Sequence, residues 1–126
     1  MKLQLNVLEN LFTIHRFPPN HEIPNQIYES QFYSISKTDE ELSIVCSSTI
    51  QVHSEKSDTD WSCIKVEGPL EFFLTGILAK ISAVLAEAEI SIFAISTFDT
   101  DYILVKSEKL PFAKKALLKS GYTFNH

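Results

Sequence analysis

The chain has 126 residues, of which 44% are hydrophobic and 21% charged, and its formal net charge is −5 at pH 7. This composition excludes a disordered tail and fits one globular domain of ordinary size, or two very small ones sharing a core. The acidic excess lies in residues 1–60, which carry four Lys/Arg and nine Asp/Glu, whereas residues 61–126 carry seven of each. The sequence has no stripe of basic residues that could neutralise phosphates, so nucleic acid is not an expected partner.

Cysteine usage and hydropathy indicate the compartment. Cys46 and Cys63 lie in apolar strand-like runs, which is typical of buried, reduced thiols. Residues 1–6 show no signal-peptide core, and no run approaches the ~20 apolar residues that span a bilayer. We therefore expect a cytoplasmic protein with no membrane contact.

The first half of the chain predicts short strands separated by turns. Thr38 and Glu41 have the spacing of a capping box, which predicts a single helical turn. The polar residues 53–60 are interpreted as the connection between the two halves. The other predicted elements are a β-hairpin or two successive strands within 3–17, a short helix over 25–29 begun by Pro24, and strands over 31–36 and 42–46.

The second half has stronger periodicities. Apolar residues recur at helical spacing over 74–88, and Leu110–Lys119 predicts a second helix that Gly121 caps. The apolar positions of the first helix are Ile77, Ile81, Val84, Leu85 and Ala88. Strands are predicted over 61–66 (ending at Gly68-Pro69), 91–98, 102–105 and 122–124.

The resulting order is β-α-β-β-α-β, the ferredoxin-like arrangement of an antiparallel sheet with two helices on one face. The first half looks like a degraded copy of the same arrangement without its long helix. We therefore expect an α+β fold of two lobes.

Gly76 is the first candidate for a binding role, because a glycine near a helix start costs stability. One explanation is close approach of an anion such as a carboxylate, which the N–H groups and the dipole of the first turn favour. The alternative is that Gly76 only lets the helix enter close to the sheet. The three glycines form no phosphate-binding loop.

The turn between the two middle strands carries two aspartates. Asp99 is most simply a residue that caps the turn. Asp101 begins the return strand, where its carboxylate could accept an ammonium or guanidinium group of a ligand. Thr97 and Phe98 would then form the wall on the outgoing strand. No histidine lies nearby in sequence, so the two aspartates do not suggest acid/base catalysis.

Other reactive side chains form no recognisable site. The four histidines lack metal-ligand spacing, the cysteines form no paired motif, and no serine lies in a nucleophile elbow. We expect no metal, no cofactor and no enzymatic activity.

Residues 61–122 resemble the ACT-domain superfamily, in particular small bacterial tandem-ACT proteins, whose repeats are similar to those of cytosolic arginine sensors. In residues 1–57 the resemblance depends mainly on Thr38–Cys46. Glu71 departs from the aspartate that the family more often has at that position. The runs that carry the resemblance are Gly68-Pro69-Leu70-Glu71-Phe72, Leu74-Thr75-Gly76-Ile77-Leu78 and Ile92–Val105.

This resemblance implies a degenerate N-terminal ACT-like lobe in residues 1–57 and an ACT domain in residues 61–126. It implies a regulatory module that binds a free amino acid or similar metabolite at the strand-to-helix entry and at an interface between lobes or subunits. The ligand-binding residues it implies are Gly76, Ile77, Thr97, Phe98 and Asp101, with Glu41, Ser43 and Ile44 as an opposite wall.

A homodimer that acts on another, unidentified protein is the expected assembly. Two alternatives stay open at this point. One is an interaction module that dimerises through sheet edges or helices and binds no metabolite. The other is an unrecognised enzyme, although no acid/base pair supports it.

Overall fold

A computed structural model describes residues 3–67 and 76–125 of the chain. The strand end expected at Gly68-Pro69, the departure at Glu71 and the first residues of the helix predicted over 74–88 lie outside these ranges. The elements in chain order are β1 (Gln4–Val7), β2 (Phe12–Phe17), a 3₁₀ helix (Asn25–Glu29), β3 (Ser34–Lys37), β4 (Leu42–Ser47), β5 (Lys56–Val66), α1 (Ile77–Glu87), β6 (Phe93–Ser96), β7 (Asp101–Lys106), a 3₁₀ helix (Ser107–Lys109), α2 (Leu110–Lys119) and β8 (Thr123–Asn125).

The chain divides into two compact units, and the boundary falls within β5. The N-terminal unit is Asn10–Trp61, and the C-terminal unit combines Met1–Glu9 with Ser62–His126. The expected lobes were residues 1–57 and 61–126. In the structure, the first nine residues belong to the C-terminal unit instead of the N-terminal one. The assignment of an ACT-like lobe to residues 1–57 stays a prediction.

The N-terminal unit is a sheet in the order β3-β4-β2-β5, in which neighbouring strands are antiparallel. Directly opposite residues such as His15 and Ile44, or Phe17 and Leu42, share one face because side chains alternate along a strand. The 3₁₀ helix begins after Pro24, which confirms the short helix predicted there. Ile27, the buried residue of this helix, belongs to the core of the unit. The core also contains Phe17, Leu42, Ile44 and Cys46.

Two predictions for the first half are wrong. Thr38 and Glu41 form the turn between β3 and β4 rather than a helical turn, although the Thr38 hydroxyl does accept the Glu41 N–H at 3.2 Å. The Thr38 hydroxyl can accept this N–H in a helical turn or in a turn between strands. The pairing of β3 with β4 selects the turn between strands. Residues 56–60 are not a connection but the start of β5, and they are polar because they are exposed strand positions.

Strands β1 and β2 form as expected, but not as a hairpin. β1 pairs with β5 and β8, whereas β2 pairs with β4 and β5. The alternative of two successive strands is therefore the correct one. A bulge lies on β5, where Phe12 faces Trp61 while Ile14 faces Asp58, and Asp60 takes a positive φ of 66° there.

The C-terminal unit confirms the ferredoxin-like order as β5-α1-β6-β7-α2-β8. Its sheet has the order β6-β7-β5-β1-β8, so β1 is inserted between the first and last strands of that motif. β1 runs antiparallel to β5 and parallel to β8. The expected antiparallel sheet therefore contains one parallel pair.

Both helices cover the same face of this sheet. Residues two apart on one strand, such as Ile64 and Val66, contribute to a single core. Leu5, Ile103, Val105 and Phe124 of the sheet pack there with Ile81 and Leu85 of α1 and Ala113 and Leu117 of α2.

The helix ends differ in how well periodicity predicts them. α2 spans the predicted residues, and Gly121 follows it with φ 98°. The Gly121 N–H donates to Leu118 O at 3.0 Å and the Tyr122 N–H to Leu117 O at 3.1 Å, which is a Schellman motif and confirms the cap. Ala88, by contrast, is an exposed residue at the end of α1 rather than part of its buried face.

Candidate functional site

The turn between β6 and β7 is closed by two threonines. The N–H and the hydroxyl of Thr97 both donate to Thr100 O, at 2.8 and 3.0 Å, and the Thr100 N–H donates to Thr97 Oγ1 at 3.3 Å. The side chain that closes the turn is therefore that of Thr97 and not, as expected, that of Asp99. Asp99 is exposed, and Phe98 between them is 79% exposed.

Thr100 connects this turn to the neighbouring strand. Its side chain is buried, and its hydroxyl donates to Val66 O at 2.6 Å, across 34 residues of sequence. Val66 is the last residue of β5, which pairs with β7. Sequence reasoning did not single out Thr100, because a threonine in a polar turn is unremarkable and its partner is distant in sequence.

Asp101 is the first residue of β7 and lies opposite Ser96 in the β6–β7 ladder. The Ser96 hydroxyl donates to Asp101 Oδ1 at 2.5 Å, which fixes the orientation of the carboxylate. The Asp101 side chain is half-buried, and within residues 3–67 and 76–125 it forms no salt bridge. This carboxylate can accept a charge-assisted hydrogen bond from a cationic group.

Gly76 precedes α1 in the left-handed conformation, with φ 77° and ψ 9°. Its carbonyl accepts the Lys80 N–H at 2.9 Å, and Ile77, which is half-buried, packs against the core. In the described part of the chain no side chain caps this helix, and its first turn carries no acidic residue. The N–H groups there can donate hydrogen bonds to an anion.

The structure also explains why residue 76 is a glycine. A Cβ at this position would meet only Lys80 Cε, at 3.9 Å, among the described residues. Close packing against the described residues of the sheet is therefore not the reason for the glycine. The reason is the positive φ of residue 76, because residues other than glycine rarely adopt it.

The three candidates from the first half lie in the N-terminal unit. Glu41 and Ser43 are half-buried, but Ile44 is 0% exposed and part of that unit's core. Because Ser43 and Ile44 are adjacent on β4, their side chains point to opposite faces. Their part in binding stays a prediction, whereas Thr97 and Phe98 of the β6–β7 turn lie next to Asp101 at the start of β7.

Nucleophilic chemistry has little support. Cys46 and Cys63 are free and buried, as expected, and burial raises the pKa of both thiols, that of Cys63 to about 12. Thiols of this kind are inert at neutral pH. Over residues 3–67 and 76–125, no group of three or more His, Cys, Asp or Glu side chains could hold a metal ion. The helices found there are too short or too polar to cross a membrane.

Comparison with protein families finds a match over the C-terminal half. A family model described as "ACT domain" matches residues 56–119, and a model of an N-terminal domain matches residues 10–50. The human protein CASTOR3P is 29% identical over 100 residues, which cover 69% of this chain and 61% of the human protein. The chain thus spans less than two thirds of that relative.

Two solved structures extend the comparison to the fold. Protein Atu0741 from Agobacterium tumefaciens superposes with a TM-score of 0.92 at 34% identity, covering 99% of this chain and 93% of that one. The regulatory subunit of aspartate kinase from Thermus thermophilus, in its ligand-free form, gives a TM-score of 0.63 at 11% identity, covering 91% and 97%. At that identity the second likeness concerns the fold alone.

Proposed function

Because the chain belongs to the ACT-domain family, we propose that it is a regulatory module that binds a free amino acid or a similar small metabolite and catalyses no reaction. The likeness to the regulatory subunit of aspartate kinase shows that a regulatory protein uses the same fold. The two buried thiols, whose pKa values burial raises, are not available as nucleophiles at neutral pH. It acts in the cytoplasm, and its output passes through another protein.

The observation that carries this proposal is the Asp101 carboxylate. It is half-buried, oriented by Ser96 and without a cationic side-chain partner in the described ranges. A half-buried carboxylate is stabilised by a cationic partner, and the α-ammonium group or a basic side chain of an amino acid provides one.

A second group of ligand contacts is assigned to the start of α1. There Gly76 and Ile77 present backbone N–H groups, and the absence of an acidic residue from the first turn leaves the positive end of the helix dipole available. A carboxylate is the group that this end favours. In this proposal Thr97 and Phe98 contact the ligand from the turn beside Asp101.

A thermal-shift screen against the twenty standard amino acids tests the proposal. A ligand at ~100 times its dissociation constant adds about 2.7 kcal/mol to the free energy of unfolding, which raises the melting temperature by several degrees. Asp101→Asn should abolish the shift, since the amide still accepts the Ser96 hydroxyl but loses the charge. Asp99→Asn is the matched control in the same turn and should retain it. No shift with any amino acid, or an unchanged shift in Asp101→Asn, would contradict the proposal.

A second candidate function is a homodimerising interaction module that binds no metabolite. The exposed apolar side chains of α2, Phe112 at 62% and Leu118 at 51% exposure, favour it. This candidate predicts concentration-dependent dimerisation that no amino acid alters and that Phe112→Ser weakens. Sedimentation velocity measures both effects, and a monomer at micromolar concentration would exclude the candidate.

A further inference from the structure

We infer that Thr100 is a positioning residue of the proposed binding site. Its buried hydroxyl attaches the β6–β7 turn to the end of β5 and so fixes where Asp101 begins its strand. The inference rests on the proposed function, because it concerns the geometry of the same site. Thr100 acts through its neighbours and is not itself a ligand contact.

Burial distinguishes Thr100 from the rest of the turn. It is 5% exposed, whereas the residues just before it, Phe98 and Asp99, are exposed. A threonine buried in an otherwise exposed turn needs a partner for its hydroxyl. That partner is Val66 O, at 2.6 Å.

Every polar group of Thr100 is used. Its N–H donates to Thr97 Oγ1, its carbonyl accepts from the Thr97 N–H and hydroxyl, and its own hydroxyl donates to Val66. The position of Thr97 is therefore coupled to the end of β5 through the hydrogen bonds of Thr100.

The coupling extends to the carboxylate, because Asp101 directly follows Thr100. Two side-chain hydrogen bonds thus add to the β6–β7 ladder in restraining the site. Ser96 sets the orientation of the Asp101 side chain, and Thr100 ties the backbone just before Asp101 to the end of β5. Without the Thr100 hydroxyl, the Val66 carbonyl would lose a donor, and the turn would shift to restore a partner for it.

Two variants and one control separate positioning from general destabilisation. Thr100→Val keeps the shape of the side chain but removes the hydroxyl, and Thr100→Ser restores the hydroxyl. Thr13→Val is the matched control, because Thr13 is 6% exposed and its hydroxyl lies 2.8 Å from Ser48 Oγ in the N-terminal unit. All variants are made in the full chain, and circular dichroism checks that they fold.

The first measurement needs no ligand. Amide hydrogen exchange of Thr97, whose N–H donates to Thr100 O, reports the turn directly. We expect exchange about tenfold faster in Thr100→Val than in the parent, and parental rates in Thr100→Ser and Thr13→Val. If the Thr97 amide of Thr100→Val exchanged at the parent's rate, the inference would be overturned.

The second measurement is calorimetric titration with each of the twenty standard amino acids. We expect Thr100→Val to bind the parent's ligand about tenfold more weakly, Thr100→Ser within a small factor of the parent, and Thr13→Val like the parent. Faster exchange with unchanged affinity would overturn the positioning role. A parent that binds none of the amino acids would refute the proposed function instead, while the exchange data would still decide whether Thr100 holds the turn.

Discussion

Among single residues, Glu89 occupies a conformation that suits glycine better. It follows the end of α1 with φ 62°, its N–H donates to Ala86 O at 2.9 Å, and the Ile90 N–H donates to Leu85 O at 2.9 Å. This is the same Schellman motif that Gly121 forms after α2. A residue with a Cβ is strained in this conformation, whereas glycine is not.

Glu89→Gly should therefore stabilise the protein. We expect a gain of about 1 kcal/mol in the free energy of unfolding and a melting temperature a few degrees higher by scanning calorimetry. Glu87→Gly, at the last residue of α1, is the matched control and should destabilise by roughly 0.5–1 kcal/mol. A loss of stability in both variants would show that Glu89 is not strained.

His15 is a second residue whose setting has a measurable consequence. It is 5% exposed, and its Nδ1 lies 2.8 Å from Ser54 Oγ, whose own hydroxyl donates to Lys56 O. Nδ1 is therefore the protonated nitrogen of the neutral ring. Nε2 is buried without a hydrogen-bond partner in the described residues, and burial lowers the pKa of His15 from its usual 6.5.

The stability of the protein should fall in mild acid for this reason. Because the folded pKa is lower than the unfolded value, the unfolded chain binds the proton first as pH falls. The contribution of His15 is complete well above pH 6.5 and is lost as pH falls from there toward the lowered folded pKa.

Urea unfolding between pH 8 and pH 5 measures this dependence. The His15→Gln variant should show a smaller decrease in the free energy of unfolding below pH 6.5 than the parent. His53→Gln, at an exposed position, should keep the parent's decrease. An equal decrease in the parent and His15→Gln would exclude His15 as its source.

At the scale of elements, local patterns predicted what local interactions determine. The bounds of α2 followed from the spacing of Leu110, Ala113 and Leu117 and from Gly121 beyond them. The start of β5 was not predicted, because its exposed residues have the composition of a loop. The partners of β1 were not predictable either, since β8 lies more than a hundred residues further along the chain.

Adjacent leucines of α2 test its packing. Leu117 is 0% exposed in the core of the C-terminal unit, whereas Leu118 is 51% exposed. Leu117→Ala should lower the free energy of unfolding by about 2–5 kcal/mol, and Leu118→Ala should change it by less than about 0.5 kcal/mol. Chemical denaturation of both variants measures the difference, and similar losses would contradict the assigned face of the helix.

For the molecule as a whole, the order of elements predicted the fold of the C-terminal unit, and the family match agrees with it. The candidate site was predictable only where it is local. Thr97 and Phe98 lie in the short β6–β7 turn and Asp101 begins β7 just after it, so sequence alone brings them together. The bond from Thr100 to Val66 joins distant segments, and the burial of Ile44 depends on strand pairing across β2.

In the proposed function, an amino acid binds to the C-terminal unit beside Asp101 and the start of α1. Nuclear magnetic resonance of the ¹⁵N-labelled full chain, titrated with the amino acid that gives the largest thermal shift, tests it most directly. We predict saturable shifts of the backbone amides of residues 76–79 and 97–101, and their loss in Asp101→Asn. Saturable shifts confined to other residues would contradict the site, and no shifts with any amino acid would contradict the function.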